Sequence, residues 1–146
     1  MRLLILHVDR FAYTVTDAAR SPLREAISEA SHESREALLA LAAVEREDEA
    51  APDEVARLAA AELERLAHQL RVERVVLHPF AHLFGELAAP AVAVAVLDGT
   101  RDRLRAAGFA VHRSPFGWFT SWDLQAKGHP LSRVARQIRA TPDSVH

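Results

Sequence analysis

His82 lies in the stretch Pro79-Phe80-Ala81-His82-Leu83-Phe84-Gly85-Glu86-Leu87, between the apolar run Val75-Val76-Leu77 and Pro90. An imidazole a few residues past a strand end, beside small Ala81 and before Gly85, is placed to act as a general base or to hold a ligand oxygen. The same position equally suits a histidine that hydrogen-bonds backbone within a turn. Open α/β sheets gather their ligands at such strand ends. His78 and His82 are four apart and His129 offers a third imidazole, but Pro79 breaks the helix on which paired zinc histidines normally sit. We therefore expect no metal. A second run, Ser114-Pro115-Phe116-Gly117-Trp118-Phe119, carries aromatic faces that can stack on a base or fill a core. Trp118 and Trp122 share one face of a strand, and Gly117 marks a close backbone approach. A third segment, Lys127-Gly128-His129-Pro130-Leu131, completes the set, and the three are expected to meet at one site. The sequence has no glycine-rich phosphate loop, no Gly-x-Ser-x-Gly elbow and no paired-carboxylate signature.

The elements that must position these residues can be read in order. Arg2 to Asp9 is strand-like, and Phe11 to Thr16 reads as a second strand, with Asp9-Arg10 as the turn of a hairpin. Asp17 to Ser34 is polar, contains Pro22 and reads as loop. Ala37 to Val44 is a short apolar run read as strand. Pro52-Asp53-Glu54 starts a helix, with its acidic groups at the positive end of the dipole. Val55, Leu58, Ala59, Leu63, Leu66, Ala67 and Leu70 form its apolar stripe. Val72 to His78 is a strand, Pro90 to Ala107 a helix ended by Gly108, Phe109 to Arg113 and Trp118 to Ala126 strands, and Leu131 to Ile138 a last short helix. Helices alternating with strands imply α/β with a mixed sheet. Ala140 to His146 reads as a tail or the start of a linker.

Composition narrows the class. The chain has 146 residues, 49% apolar and 26% charged, which suits one domain with a core. No apolar run nears the roughly 20 residues needed to span a bilayer. Leu3 to Leu6 is too short for the apolar region of a signal peptide, so the expected location is cytoplasmic. With no cysteine, disulfides, thiolate zinc sites and a cysteine nucleophile are excluded. A formal net charge of −2 lacks the basic excess of a domain that holds nucleic acid by itself. If RNA is handled here, most of the affinity comes from elsewhere.

Three ordered motifs then carry a resemblance. Pro79-Phe80-Ala81-His82-Leu83-x-x-Glu86-Leu87-Ala88-x-Pro90, Pro115-Phe116-Gly117-Trp118-Phe119 and Lys127-Gly128-His129-Pro130-Leu131 resemble the amino-terminal editing domain of archaeal threonyl-tRNA synthetase. Leu6-His7-x-Asp9, Tyr13 and Asp17 are similar to that family's start. The resemblance runs from Met1 to about Ile138, with an editing domain over 1–139 and 140–146 left as tail or linker. It implies a D-aminoacyl-tRNA deacylase-like α/β fold of layered mixed β-sheets with covering helices, usually as a homodimer. The implied activity is hydrolysis of L-serine from mischarged tRNA(Thr), assisted by the 2′-hydroxyl of the terminal adenosine, with no cofactor. Implied partners are the tRNA(Thr) 3′ end carrying serine and the catalytic and anticodon-binding parts of the synthetase. By matching position, Val44, Pro79, Ala81, Phe116, Gly117 and Phe119 would line the pocket, with His82 beside the ester. Two positions depart from the family: a lysine proposed to act in catalysis is replaced by Thr120, and a common glutamate by Arg133. The alternatives are a D-aminoacyl-tRNA deacylase and a non-catalytic appendage that dimerises or positions tRNA.

Overall fold

The computed structural model describes residues 1–83 and 85–140. Its spine is one long strand, β1 (Arg2–Ala18). Alternation sends Leu3 and Ile5 to one face, and Leu6 and Val8 belong to the apolar cluster on the other. The hairpin expected at Asp9-Arg10 does not form. The polar pair instead marks a register shift between Val8 and Arg10 in the pairing with β5 (Trp118–Ala126), a bulge that re-aims the strand without reversing it. The partner that keeps β1 straight is β2 (Ser31–Ala43), antiparallel to it from Arg2↔Ala43 to Thr14↔Ser31. The two ends of the expected loop over Asp17 to Ser34, residues 17–18 and 31–34, are thus drawn into the sheet, and the rest remains loop.

Along its other edge β1 takes β5 beside its second half and β6 (Arg133–Gln137) beside its first. The helix expected over Leu131 to Ile138 is therefore a strand. Val134 and Ile138, four apart and buried, satisfy helical and extended periodicities alike, and pairing with the open edge of β1 decides between them. Beyond β2 lie β3 (Arg74–Pro79) and β4 (Ala110–Arg113), both parallel, giving the order β4-β3-β2-β1-β5.

Two helices cover one face. α1 (Pro52–Leu70) and α2 (Pro90–Ala106) each begin at a proline, whose missing N–H and fixed φ suit a first turn. α1 ends at Arg71 in a left-handed conformation, φ 58°. Val55, Ala59, Leu63 and Leu66 meet Val96, Leu97 and Leu104 of α2 above Leu3, Ile5, Leu38, Ala40, Val75 and Leu77 of the sheet. Truncating a fully buried leucine such as Leu63 should cost roughly 2–5 kcal/mol. The opposite face carries a smaller cluster, Leu6, Val8, Phe11, Tyr13, Leu39, Leu41 and Val76. This mixed sheet with covering helices is the deacylase-like α/β class expected. No helix is long and apolar enough to cross a membrane among the described residues. Of the tail expected from Ala140 to His146, residues 141–146 lie outside the described ones.

Candidate active site

The parallel pairing of β2 with β3 places Ala42 opposite Pro79, and both strands end there. The Phe80 amide donates to the Ala42 carbonyl at 2.9 Å, and the Ala88 amide to the Val44 carbonyl at 3.0 Å. These bonds hold the two ends of the Pro79–Ala88 connection against the end of β2. The middle is tied by Arg2, which donates from Nη1 to the Leu83 carbonyl at 3.1 Å and pairs through Nε with Glu45 Oε2 at 3.0 Å. A Cβ on Gly85 would fall 1.4 Å from Glu45 Oε2, so any larger residue must push that buried carboxylate away from Arg2.

The facing wall is the turn between β4 and β5. Glu25, from the loop after β1, organises it. Its carboxylate accepts from the Arg113 guanidinium (2.5 Å at Oε2) and from the Phe116 amide at 2.7 Å. Its carbonyl accepts from the Trp118 indole at 2.8 Å. The Arg113 guanidinium holds the Glu25 carboxyl below its ordinary pKa, against the opposing effect of burial. Gly117 has φ +92°, and a Cβ there would meet the Leu23 carbonyl oxygen at 2.6 Å.

Between the walls lies a cleft of about 760 Å³, within the roughly 300–1,000 Å³ of small-molecule sites. Ala93 and Leu97 of α2 reach it from below, and Ala19 to Pro22 from the side. Among the described residues the large apolar side chains left most open, Leu87 (49%), Phe119 (55%) and Trp122 (39%), all border it. Apolar rings standing in water at a cleft mouth are a ready surface for a flat ligand.

A polar network backs the cleft. His78 Nδ1 lies 2.7 Å from Ser114 Oγ, and its Nε2 lies 3.4 Å from Thr120 Oγ1. The Trp122 indole donates to Thr120 Oγ1 at 2.7 Å. Behind them the Tyr13 hydroxyl is 2.7 Å from His112 Nε2. Burial pushes His78 down to about 4, with His112 adding to the effect, and burial does the same to His112, reinforced by His32. Both imidazoles are therefore neutral at physiological pH.

The eight residues singled out for the pocket and the chemistry border this cleft: Val44, Pro79, Ala81, His82, Phe116, Gly117, Phe119 and Thr120. The His82 ring is exposed and packs edge-on against Phe80, 5.2 Å between centroids. The first two motif segments thus meet. The third does not join them. Lys127 pairs instead with Asp9 and Glu36, and His129 Nε2 lies 2.8 Å from His7 Nδ1. The third motif therefore clamps the β5–β6 connection to the bulged stretch of β1, where His7 and Asp9 lie. Arg133 also lies off the cleft, paired to Leu6 across the sheet. Sequence reasoning missed Glu25, which has no motif around it, and the network role of His78, which depends on Ser114, 36 residues away. No group of three or more histidine and carboxylate side chains is placed to hold a metal among the described residues.

Comparison with known proteins agrees in extent with the motifs. Residues 1–138 match the family described as the archaea-specific editing domain of threonyl-tRNA synthetase. The chain is 43% identical over 141 residues to a threonine–tRNA ligase of Thermococcus gammatolerans, covering 94% of this chain and 22% of that protein. It is 41% identical over 141 residues to the ligase of Methanosarcina mazei, covering 95% of this chain and 22% of the ligase. For Methanopyrus kandleri the identity is 39% over 150 residues, covering 99% and 23%. The chain thus spans less than a quarter of each of these ligases. Among solved structures the fold is similar to a c-Myc DNA unwinding element binding protein, with TM-score 0.64 and 11% identity, covering 96% of this chain and 100% of that one. That likeness concerns the fold alone.

Proposed function

The chain belongs to the family of archaea-specific editing domains of threonyl-tRNA synthetase, and from that premise we propose that it proofreads, hydrolysing the ester of L-seryl-tRNA(Thr) to serine and free tRNA(Thr). The observation that carries this reading is the cleft itself, built at the end of β3 from two of the motifs on which the family resemblance rests. Its exposed rings suit the terminal adenine, and its small lining residues Ala42, Ala43, Ala81 and Ala88 leave room beside it for an aminoacyl group. The chemical need is plain. Serine differs from threonine by one methyl, and a binding pocket discriminates one methyl by only about 1–3 kcal/mol. A second sieve that admits serine and rejects threonine supplies the remainder.

The polar network behind the cleft is made of neutral imidazoles and hydroxyls, without a charged base. That composition favours a route in which the 2′-hydroxyl of the terminal ribose assists the attacking water, with His82 beside the ester. The formal charge of −2 leaves binding of the tRNA body to the catalytic and anticodon-binding parts of the synthetase, and pairing of two copies belongs to the same reading.

The test is deacylation of Ser-tRNA(Thr) against Thr-tRNA(Thr), repeated with tRNA lacking the terminal 2′-hydroxyl. Serine-selective turnover that disappears without that hydroxyl is expected. Faster hydrolysis of a D-aminoacyl ester would instead make the protein a D-aminoacyl-tRNA deacylase. Binding without turnover of any ester would make it a non-catalytic appendage.

A further inference from the structure

The Thr120 hydroxyl, which borders the cleft, is held from two sides. An indole N–H only donates, so Trp122 Nε1 occupies one lone pair of Thr120 Oγ1, at 2.7 Å. On the other side stands His78 Nε2, at 3.4 Å. His78 is 5% exposed, its ring wedged edge-on among Phe11, Tyr13 and Trp122, with centroids 5.3–5.5 Å away. Its second nitrogen meets the fully buried Ser114 hydroxyl at 2.7 Å. A ring so enclosed cannot swing, so its influence on Thr120 rests on which nitrogen carries the proton.

The chain can run in two directions. Either Ser114 O–H donates to His78 Nδ1 and His78 donates from Nε2 to Thr120, or His78 donates from Nδ1 to Ser114 and faces Thr120 with the lone pair of Nε2.

We propose that His78 is a positioning residue for this site: its Nε2 accepts the Thr120 hydroxyl proton and so turns the remaining lone pair of Thr120 Oγ1 into the cleft, where it holds an O–H of the reacting complex. That O–H belongs to the hydrolytic water or to the terminal ribose. This rests on the deacylase reading and supplies the site with a hydroxyl acceptor. Thr120 touches the ligand, and His78 acts only through Thr120.

The experiment is a double-mutant cycle on deacylation of Ser-tRNA(Thr), joined to histidine side-chain nitrogen NMR of the free protein. Thr120→Val and His78→Asn should each lower kcat by about 10- to 100-fold. The asparagine retains a donor toward Ser114 but does not reach Thr120. The double variant should be no slower than the worse single one, because each change removes the same link. Thr120→Ser and His78→Gln, which restore a hydroxyl and an acceptor at the Nε2 position, should recover part of the loss. A loss in kcat alone assigns the held O–H to water, and a loss shared with KM assigns it to the ribose. The NMR spectrum should show His78 neutral and protonated on Nδ1, with its Nε2 resonance displaced in Thr120→Val. Multiplicative losses in the double variant, or a His78 proton on Nε2, would overturn the proposal. Wild-type protein that is folded yet releases no serine would sink the deacylase reading, while the NMR signature would still decide the link between His78 and Thr120. Should His78→Asn fail to fold, His78→Gln and the spectrum of wild-type protein decide it.

Discussion

Replacing Gly117 by alanine should damage both the fold and the cleft, and the size of the damage can be worked from geometry. At φ +92° an L residue pays a backbone penalty of about 1–2 kcal/mol. The added Cβ would also lie 2.6 Å from the Leu23 carbonyl oxygen and 2.9 Å from Arg24 Cα. Those are backbone atoms, so relief requires the loop holding Glu25 to move, an overpacking cost of roughly 1–3 kcal/mol. The sum is about 2–5 kcal/mol. Two other glycines separate the contributions. Gly108 has φ +97° with nothing within 4 Å of its virtual Cβ, so Gly108→Ala carries the backbone penalty alone. Gly128 also has nothing within 4 Å and no positive φ, so Gly128→Ala should be neutral, or stabilising by about 0.4–1 kcal/mol through the unfolded chain. Urea denaturation of the three variants, with m-values checked for constancy, measures the series. Deacylation should fall only in Gly117→Ala. If Gly117→Ala and Gly108→Ala agree within about 0.5 kcal/mol, a margin typical of independent surface changes, the loop is not seated on the turn and the account of that wall is wrong.

Two further outcomes follow from the same contacts. Glu25→Ala removes the acceptor shared by Arg113 and the Phe116 amide, and should cost roughly 1–3 kcal/mol with a loss in kcat/KM, read by denaturation and deacylation together. Stability should also fall with acid. His78 and His112 titrate near 4 when folded, against 6.5 as their ordinary value. Between those pH values the unfolded chain binds more protons, so stability is full above about 6.5 and is lost as pH falls toward 4. At pH 5 the buried His78 accounts for a loss of roughly 2 kcal/mol, His112 adds a smaller one in the same direction, and His112→Phe should flatten the pH dependence of the denaturation midpoint.

What could be read in advance was whatever a local pattern encodes. Pro52 and Pro90 announced their helices because a proline costs nothing in a first turn, and Val75 to Leu77 announced a buried strand by its β-branched run. The cleft residues around His82 and Phe116 were legible because motif and turn coincide. Other features were decided by partners distant in sequence. Phe11 to Thr16 continues β1 because β2 and β5 flank it, and no local signal at Asp9-Arg10 distinguishes a bulge from a hairpin. Residues 133–137 carry a spacing compatible with either periodicity, settled by the free edge of β1. The part played by Glu25 depends on Arg113, 88 residues away.

The position of β1 between β2, β5 and β6 bears on how the chain reaches this state. On a ribosome β1 emerges first, and β2 can pair with it early. Its other edge must wait for residues 118–137, almost the whole length of the domain. Until then a strand of 17 residues presents an open row of amides and carbonyls, the template on which foreign strands pair. Such long-range closure makes folding slow relative to helical proteins. The interval between synthesis of β2 and arrival of β5 is therefore when this domain most needs protection from aggregation, and a chaperone that shields an extended edge would act on β1.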